Sequence, residues 1–112
     1  MAITNSLIAS TDTTVLTVPA DKRYAITNIF ICNNEDINLA HEEAGKTVFD
    51  LHFVKSGEPK STINMVLRSV EVPAGETFIL DTEKVILEAG DSIIILGESP
   101  TVLSATVSWM EV

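Results

Sequence analysis

Residues 103–109, which read LSATVSW, show the alternation of a β-strand more clearly than any other part of the sequence. Successive side chains of a strand point to opposite faces, so the odd-numbered residues share one face and the even-numbered residues share the other. The odd-numbered face is apolar and contains Leu103, Ala105, Val107 and Trp109, whereas the other face carries hydroxyl groups. The pattern predicts a strand that covers a core with its apolar face, and Trp109 as an anchor of that core.

The rest of the chain consists of short β-branched and aliphatic runs, each closed by Pro, Gly, Asn or Asp, with no sustained helical period. These runs predict strands at Ser6–Ser10, Thr13–Val18, Arg23–Asn33, Lys46–Val54, Ile63–Val72, Thr77–Leu80, Lys84–Leu87, Ser92–Leu96 and Val102–Glu111. A single sheet of this length would leave one apolar face in water, so two packed sheets or a closed barrel are expected. The predicted fold is all-β: one domain over residues 1–112, a single antiparallel β-sandwich of jelly-roll or Greek-key type with eight to nine short strands.

A short near-repeat marks two of the connections. The segments TVPADK at residues 17–22 and EVPAGE at residues 71–76 each precede a hydrophobic strand. Both predict the same turn, in which proline at the first central position presets φ and Gly75 supplies a positive φ. Two further segments, Asn33–Gly45 and Lys55–Ser61, are polar and predict a surface excursion and an exposed hairpin-type loop.

Composition excludes several classes of function. The chain has 16 acidic and 7 basic residues and a net charge of −9, which would repel both nucleic acid and anionic lipid and would suit a partner with a basic surface. No apolar run approaches the roughly 20 residues that cross a bilayer. The start of the chain, MAITNSLIAS, lacks the features of a secretion signal, and a single cysteine, Cys32, excludes an intramolecular disulfide. We therefore predict neither a nucleic-acid nor a membrane partner.

The sequence also offers little for catalysis. A serine triad needs a nucleophile, a histidine and a carboxylate that converge, but His41 lies in the acidic loop and His52 on the outer side of a predicted strand. Around His41, the carboxylates of Glu35, Asp36, Glu42 and Glu43 supply donors for a divalent cation. Adjacent residues point apart in an extended chain, however, so a solvated loop is favoured. We predict no enzyme, no metal site and no cofactor.

Two strands are apolar on both faces, at Ile29–Ile31 and Ile93–Leu96, as expected at the centre of a sandwich or at a subunit contact. In Lys46–Val54 the polar pair Asp50 and His52 lies opposite the inward-facing Phe49, Leu51 and Phe53. The N-terminal residues 1–10 form either an arm that adds a strand to a neighbouring subunit or a strand of the chain's own sandwich. The predicted interface residues are Ile3, Leu7, Ile8, Ile29, Ile31, Asp50, His52, Ile94 and Leu96.

Four segments, VPADKRYAITNIFICNN, DLHFV, VPAGETFILDTEKVILEAGDSIII and SATVSWMEV, cover most of the chain. Together they resemble small virion structural proteins of tailed bacteriophages, in which a VPAG turn leads to a strand that ends in CN and L-x-x-GD-x-I precedes the penultimate strand. Asp21 departs from the glycine that is usual in the first turn. The resemblance implies a non-enzymatic protein of the virion, such as a capsid decoration or cement protein or a neck, tail or fibre component.

The same resemblance implies partners. These are other copies of the chain, in a trimer or a higher ring, and the major capsid protein or other virion proteins. The alternative is a host-surface or carbohydrate-binding module, which needs an exposed aromatic ring. Tyr24 is the one candidate for such a ring, so a glycan ligand is disfavoured.

Overall fold

The computed structural model describes residues 2–41 and 44–112, and for residues 82–84 the backbone alone. Within these residues the strands are β1 Ala2–Leu7, β2 Thr13–Thr17, β3 Arg23–Asn33, β4 Thr47–Val54, β5 Met65–Val72, β6 Thr77–Glu88, β7 Ser92–Gly97 and β8 Leu103–Glu111. A 3₁₀ helix, Thr62–Asn64, precedes β5.

The strands form two four-stranded antiparallel sheets. Sheet A has the order β1-β8-β3-β6, and sheet B has the order β2-β7-β4-β5. The first strand pairs with the last, the second with the seventh, the third with the sixth and the fourth with the fifth. This is the arrangement of a long antiparallel hairpin rolled into two layers, which is a jelly roll. The predicted all-β antiparallel sandwich is thus confirmed, in its jelly-roll form.

The core lies between the inner faces of the two sheets. Its fully buried members include Ile26, Ile29 and Ile31 of β3, Phe49 and Leu51 of β4, Ile93 and Ile95 of β7, and Leu103, Ala105 and Val107 of β8. Trp109 faces the same way but is half-buried, near the end of β8, where its ring stacks on Tyr24 at a centroid distance of 5.1 Å. Trp109 thus packs against the core, as predicted, but at its margin rather than among its fully buried members.

Some predicted strand bounds were wrong. β1 covers Ala2–Leu7 rather than Ser6–Ser10, because residues 2–7 pair in unbroken register with β8. The two runs predicted at Thr77–Leu80 and Lys84–Leu87 belong to the single strand β6. Its polar middle does not end the strand, because pairing with β3 resumes beyond it after a shift in register.

The two VPA segments form the same turn, as predicted. In each, the N–H of the last residue donates to the proline carbonyl three positions earlier, over 3.3 Å from Pro19 and 3.1 Å from Pro73. Asp21 and Gly75 occupy the equivalent position with φ of 63° and 75°. Proline lies at the first corner of the turn rather than at the first central position, because the hydrogen bond begins at its own carbonyl.

The side chain of the buried Asn33 forms hydrogen bonds that hold the long connection between β3 and β4 in place. Asn33 is 1% exposed, and its Nδ2 donates to the carbonyls of Gly45 and Val72 over 2.7 and 2.9 Å. Its Oδ1 accepts the N–H of Glu35 over 2.9 Å. All described residues of the connection from 34 to 45 are exposed, which confirms the predicted surface excursion.

Candidate interaction surfaces

The outer face of sheet A presents apolar side chains to solvent. In one row across the sheet Ile79 lies opposite Phe30, and in another Ile86 and Met110 flank Ala25. Edge strand β1 adds Ile3 and Leu7, which are 62% and 58% exposed. We call the set of Ile3, Leu7, Phe30, Ile79, Ile86 and Met110 the apolar face.

Few of the described side chains on this face are charged. The structure does not describe the side chains of residues 82–84. Among the described side chains, the charged residues on this face are Asp81, which accepts a hydrogen bond from Asn28, and the ion pair Arg23–Glu88 at one end of the sheet. The rest of the polar surface on this face consists of hydroxyl and amide groups. The whole chain has a net charge of −9, so an acidic partner or a second copy would be repelled less strongly at the outer face of sheet A than at the more acidic parts of the surface.

The predicted N-terminal interface residues divide between surface and core. Ile3 and Leu7 project from the outer side of β1, whereas Ile8 is fully buried and its N–H donates to the Leu103 carbonyl over 2.8 Å. Residues 2–7 pair with β8 of the same chain, which corresponds to the second of the two alternatives for this segment. Met1 lies outside the described residues. The prediction of Ile8 as a contact residue is corrected, because the chain's own core covers it.

Ile29 and Ile31 were also predicted at an interface, and both are fully buried. β3 is a central strand of sheet A, and these residues face sheet B. The prediction is corrected because a partner could reach this strand only from its other side. The side chain that points outward is Phe30, which lies within the predicted Ile29–Ile31 run but is not one of the predicted interface residues.

Four predicted residues face the outer side of sheet B, and three of them, Asp50, Ile94 and Leu96, are half-buried there. Asp50 lies opposite Leu96 in the ladder. The Asp50 Oδ1 accepts the N–H of Ser69 over 2.7 Å, at a point where Ser69 has a φ of 49°. A depression of about 250 Å³ borders Asp50, Ser69 and Leu96. This face is therefore partly exposed, but an acidic side chain lies near its middle.

His52 faces the same side as Asp50, as predicted, yet it is only 2% exposed. The connection between β4 and β5 folds back over it: the Lys60 ammonium lies 2.7 Å from the Asp12 carboxylate, and the N–H of Ser56 donates to Asp91. His52 Nδ1 lies 2.8 Å from Asn64 Oδ1, while Nε2 is buried without a hydrogen-bond partner among the described atoms. The prediction of His52 as an interface residue is corrected, because residues of its own chain cover it.

The end of the sandwich near the C-terminus combines aromatic and ionic contacts. One face of the half-buried Tyr24 ring is occupied by Trp109. The Lys22 ammonium lies 2.8 Å from the Glu111 carboxylate, and this hydrogen bond together with the negative charge of Glu111 raises the pKa of Lys22. The glycan alternative required Tyr24 as an exposed ring, and the stacking leaves that ring one free face at most.

Other predicted chemistry concerns the acidic connection. Among the residues that the structure describes, no three His, Cys, Asp or Glu side chains form a group that could hold a metal ion. Glu42 and Glu43 of the acidic group weighed above lie outside the described residues. No helix in the described chain is long and apolar enough to span a membrane.

The predicted interface residues do not include four members of the apolar face: Phe30, Ile79, Ile86 and Met110. Phe30 carried a signal, since it lies in a run that is apolar on both faces. Ile79 and Ile86 did not, because the shift in register within β6 brings two separate stretches to one face. Searches with protein-family models, curated proteins and solved structures found no match.

Proposed function

We propose that this protein is a non-enzymatic structural component of a tailed-phage particle, of the capsid decoration or cement type. It acts by associating with copies of itself and with other virion proteins. The observation that carries the proposal is the apolar face, which is exposed in an otherwise strongly acidic protein. Large exposed apolar patches commonly mark sites of protein association.

The size of the expected contact favours an assembly with many copies. Burying a large aliphatic side chain completely contributes about 1.5–3 kcal/mol, and the members of the apolar face are already partly covered. Association also loses translational and rotational freedom, which costs about 4–15 kcal/mol. A single contact of this kind is weak, whereas the many simultaneous contacts of a particle surface add up.

Two further arguments support a place in a virion. The first is the sequence resemblance over the VPA turns and the final strands. The second is an analogy of fold, since jelly rolls are frequent in viral capsid proteins, although they also occur in lectins and in cupins. The acidic remainder of the surface would suit a basic capsid surface and would keep the free protein soluble.

The proposal is tested by measuring whether the protein is present in the phage particle. Antibodies raised against the purified chain are applied to the DNA-containing band that the encoding phage gives on a caesium chloride gradient, and to the soluble lysate. We expect the chain in the particle band, in a fixed ratio to the major capsid protein that survives a second gradient. Its confinement to the soluble fraction would contradict the proposal, and binding of that soluble protein to a glycan array would favour the host-surface alternative.

A further inference from the structure

β1 is an unusually unprotected sheet edge. Of the four edge strands, β5 carries charged residues and a positive φ at Ser69, and β6 carries charges and a shift in register. β2 has five residues and an irregular ladder at Val15. β1 has six residues in unbroken register, AITNSL, with neither charge nor proline. Charge, proline and irregularity are the features by which proteins prevent strand addition at an edge.

The backbone of β1 has its free groups on alternate residues. The Ile8 N–H donates to the carbonyl of Leu103, which continues the register of β1 with β8. In an antiparallel ladder hydrogen-bonded positions alternate, so the even-numbered residues of β1 bond to β8. The N–H and C=O groups of Ile3, Asn5 and Leu7 therefore point away from the sheet. The same residues carry the outward-facing side chains.

We propose that β1 pairs with β1 of a second copy, antiparallel and across a twofold axis at Asn5, so that the two A sheets become one continuous sheet. This inference rests on the self-association in the proposed function and specifies its surface. In this register Ile3 lies opposite Leu7 of the second copy, and Asn5 lies opposite its own equivalent. Every outward N–H and C=O group of the three residues then has a backbone partner.

The occupant is a second copy because the edge is complementary to itself. A twofold axis at Asn5 places residue i opposite residue 10 − i of the second copy. The unpaired backbone groups of one copy then lie opposite those of the other, and the side chain of Ile3 contacts that of Leu7. Each copy has a net charge of −9, so two copies repel each other electrostatically. Because β1 contains no charged residue, pairing through β1 brings no like-charged side chains of this strand together. A twofold contact builds dimers and even-numbered assemblies, unlike the trimer or ring that the sequence resemblance implied.

Paired charge variants test the register. The mass of the wild-type chain is measured by light scattering over a range of concentrations, next to Ile3→Lys/Leu7→Lys and Ile3→Lys/Leu7→Glu. The first variant sets ammonium groups opposite each other, and we expect the dimer dissociation constant to rise at least about tenfold. The second sets an ammonium opposite a carboxylate and is expected to restore the dimer, most completely at low salt. Thermal unfolding of each variant shows that the monomer is folded.

The control is Ile79→Lys/Ile86→Lys, which places the same charges on the apolar face at the opposite edge of sheet A. We expect it to leave the dimer unchanged. A dimer that survives Ile3→Lys/Leu7→Lys but dissociates in the control would overturn pairing through β1 while leaving self-association, and with it the proposed function, in place. A wild-type chain that remains monomeric at every concentration would also overturn the inference, and the particle-band experiment would then decide the proposed function separately.

A cross-link gives a second, independent measurement. In a Cys32→Ser background, Asn5→Cys brings two thiols to the twofold axis, where hydrogen-bonded pairs have Cα atoms about 5.5 Å apart, within the range for a disulfide. We expect a covalent dimer after mild oxidation of Asn5→Cys and none from Ile79→Cys. Equal yields from the two positions would overturn the register.

Discussion

The Nδ1 atom of His52 and the Oδ1 atom of Asn64 lie 2.8 Å apart, and this contact joins the outer face of sheet B to the connection that covers it. An amide oxygen can only accept, so the imidazole Nδ1–H is the donor. Asn64 Oδ1 also accepts the N–H of Ser61, and its Nδ2 donates to the Pro59 carbonyl. The Asn64 side chain thus caps the N-terminus of the 3₁₀ helix and accepts a hydrogen bond from one of the two ring nitrogens of the buried His52.

The first prediction concerns the removal of the Asn64 side chain. Asn64→Ala leaves the buried His52 Nδ1–H without its acceptor and is expected to lower the free energy of unfolding by about 1–3 kcal/mol, measured by urea denaturation. The matched control is Thr62→Ala in the same 3₁₀ helix, an exposed position expected to change stability by less than about 0.5 kcal/mol. Equal effects of the two substitutions would show that the hydrogen bonds of the Asn64 side chain, including that with His52, contribute nothing to stability.

Asn33 supports the second prediction. Asn33→Ala removes three hydrogen bonds from a buried site and leaves the carbonyls of Gly45 and Val72 without this donor. We expect a loss of about 2–3 kcal/mol in unfolding free energy. Asn34→Ala, one residue along on the exposed connection, should stay near wild type, within about 0.5 kcal/mol. A loss of similar size in Asn34→Ala would contradict the role given to Asn33.

The third prediction concerns the repeated turn, where substitutions at two equivalent positions are expected to change thermal stability in opposite directions. Asp21→Gly relieves a positive φ and is expected to raise the midpoint of thermal unfolding, by an amount that corresponds to about 0.5–1 kcal/mol. Gly75→Ala is expected to lower it, because its φ is 75° and the added Cβ would lie 2.8 Å from Cγ1 of Ile37. Shifts in the same direction for both would mean that the turns are not equivalent.

Adjacent isoleucines of β7 provide the fourth prediction. Ile95 is fully buried between the sheets, whereas Ile94 is half-buried on the outer face of sheet B. Ile95→Ala should cost about 2–5 kcal/mol, because it opens a cavity in the core. Ile94→Ala should cost no more than about half as much, since part of the side chain is already in water. Urea denaturation of both variants measures the difference, and a reversed order would contradict the assignment of faces.

The fifth prediction concerns salt. Copies with a net charge of −9 repel one another, and added salt screens that repulsion. If association uses the apolar face, raising sodium chloride from about 20 to about 200 mM should strengthen it, because the Debye length falls several-fold. Light scattering at fixed protein concentration measures the effect. Weaker association at the higher salt would indicate contacts between opposite charges instead.

The local pattern of the sequence determined the fold class and most of the strands. Alternation in residues 103–109 and the turn residues between apolar runs depend on neighbours in the chain, so they can be read without knowledge of the whole. The equivalence of the two VPA turns has the same origin, since a turn is set by four consecutive residues.

Tertiary structure decided which apolar side chains remain exposed. The runs at Ile29–Ile31 and Ile93–Leu96 are apolar on both faces, so their periodicity could not distinguish the core side from the outer side. His52 was placed on the correct face, yet a connection anchored by Lys60 and Asn64 covers it. The apolar face combines β1, β3, β6 and β8, which are distant in sequence, and only long-range pairing in sheet A brings them together.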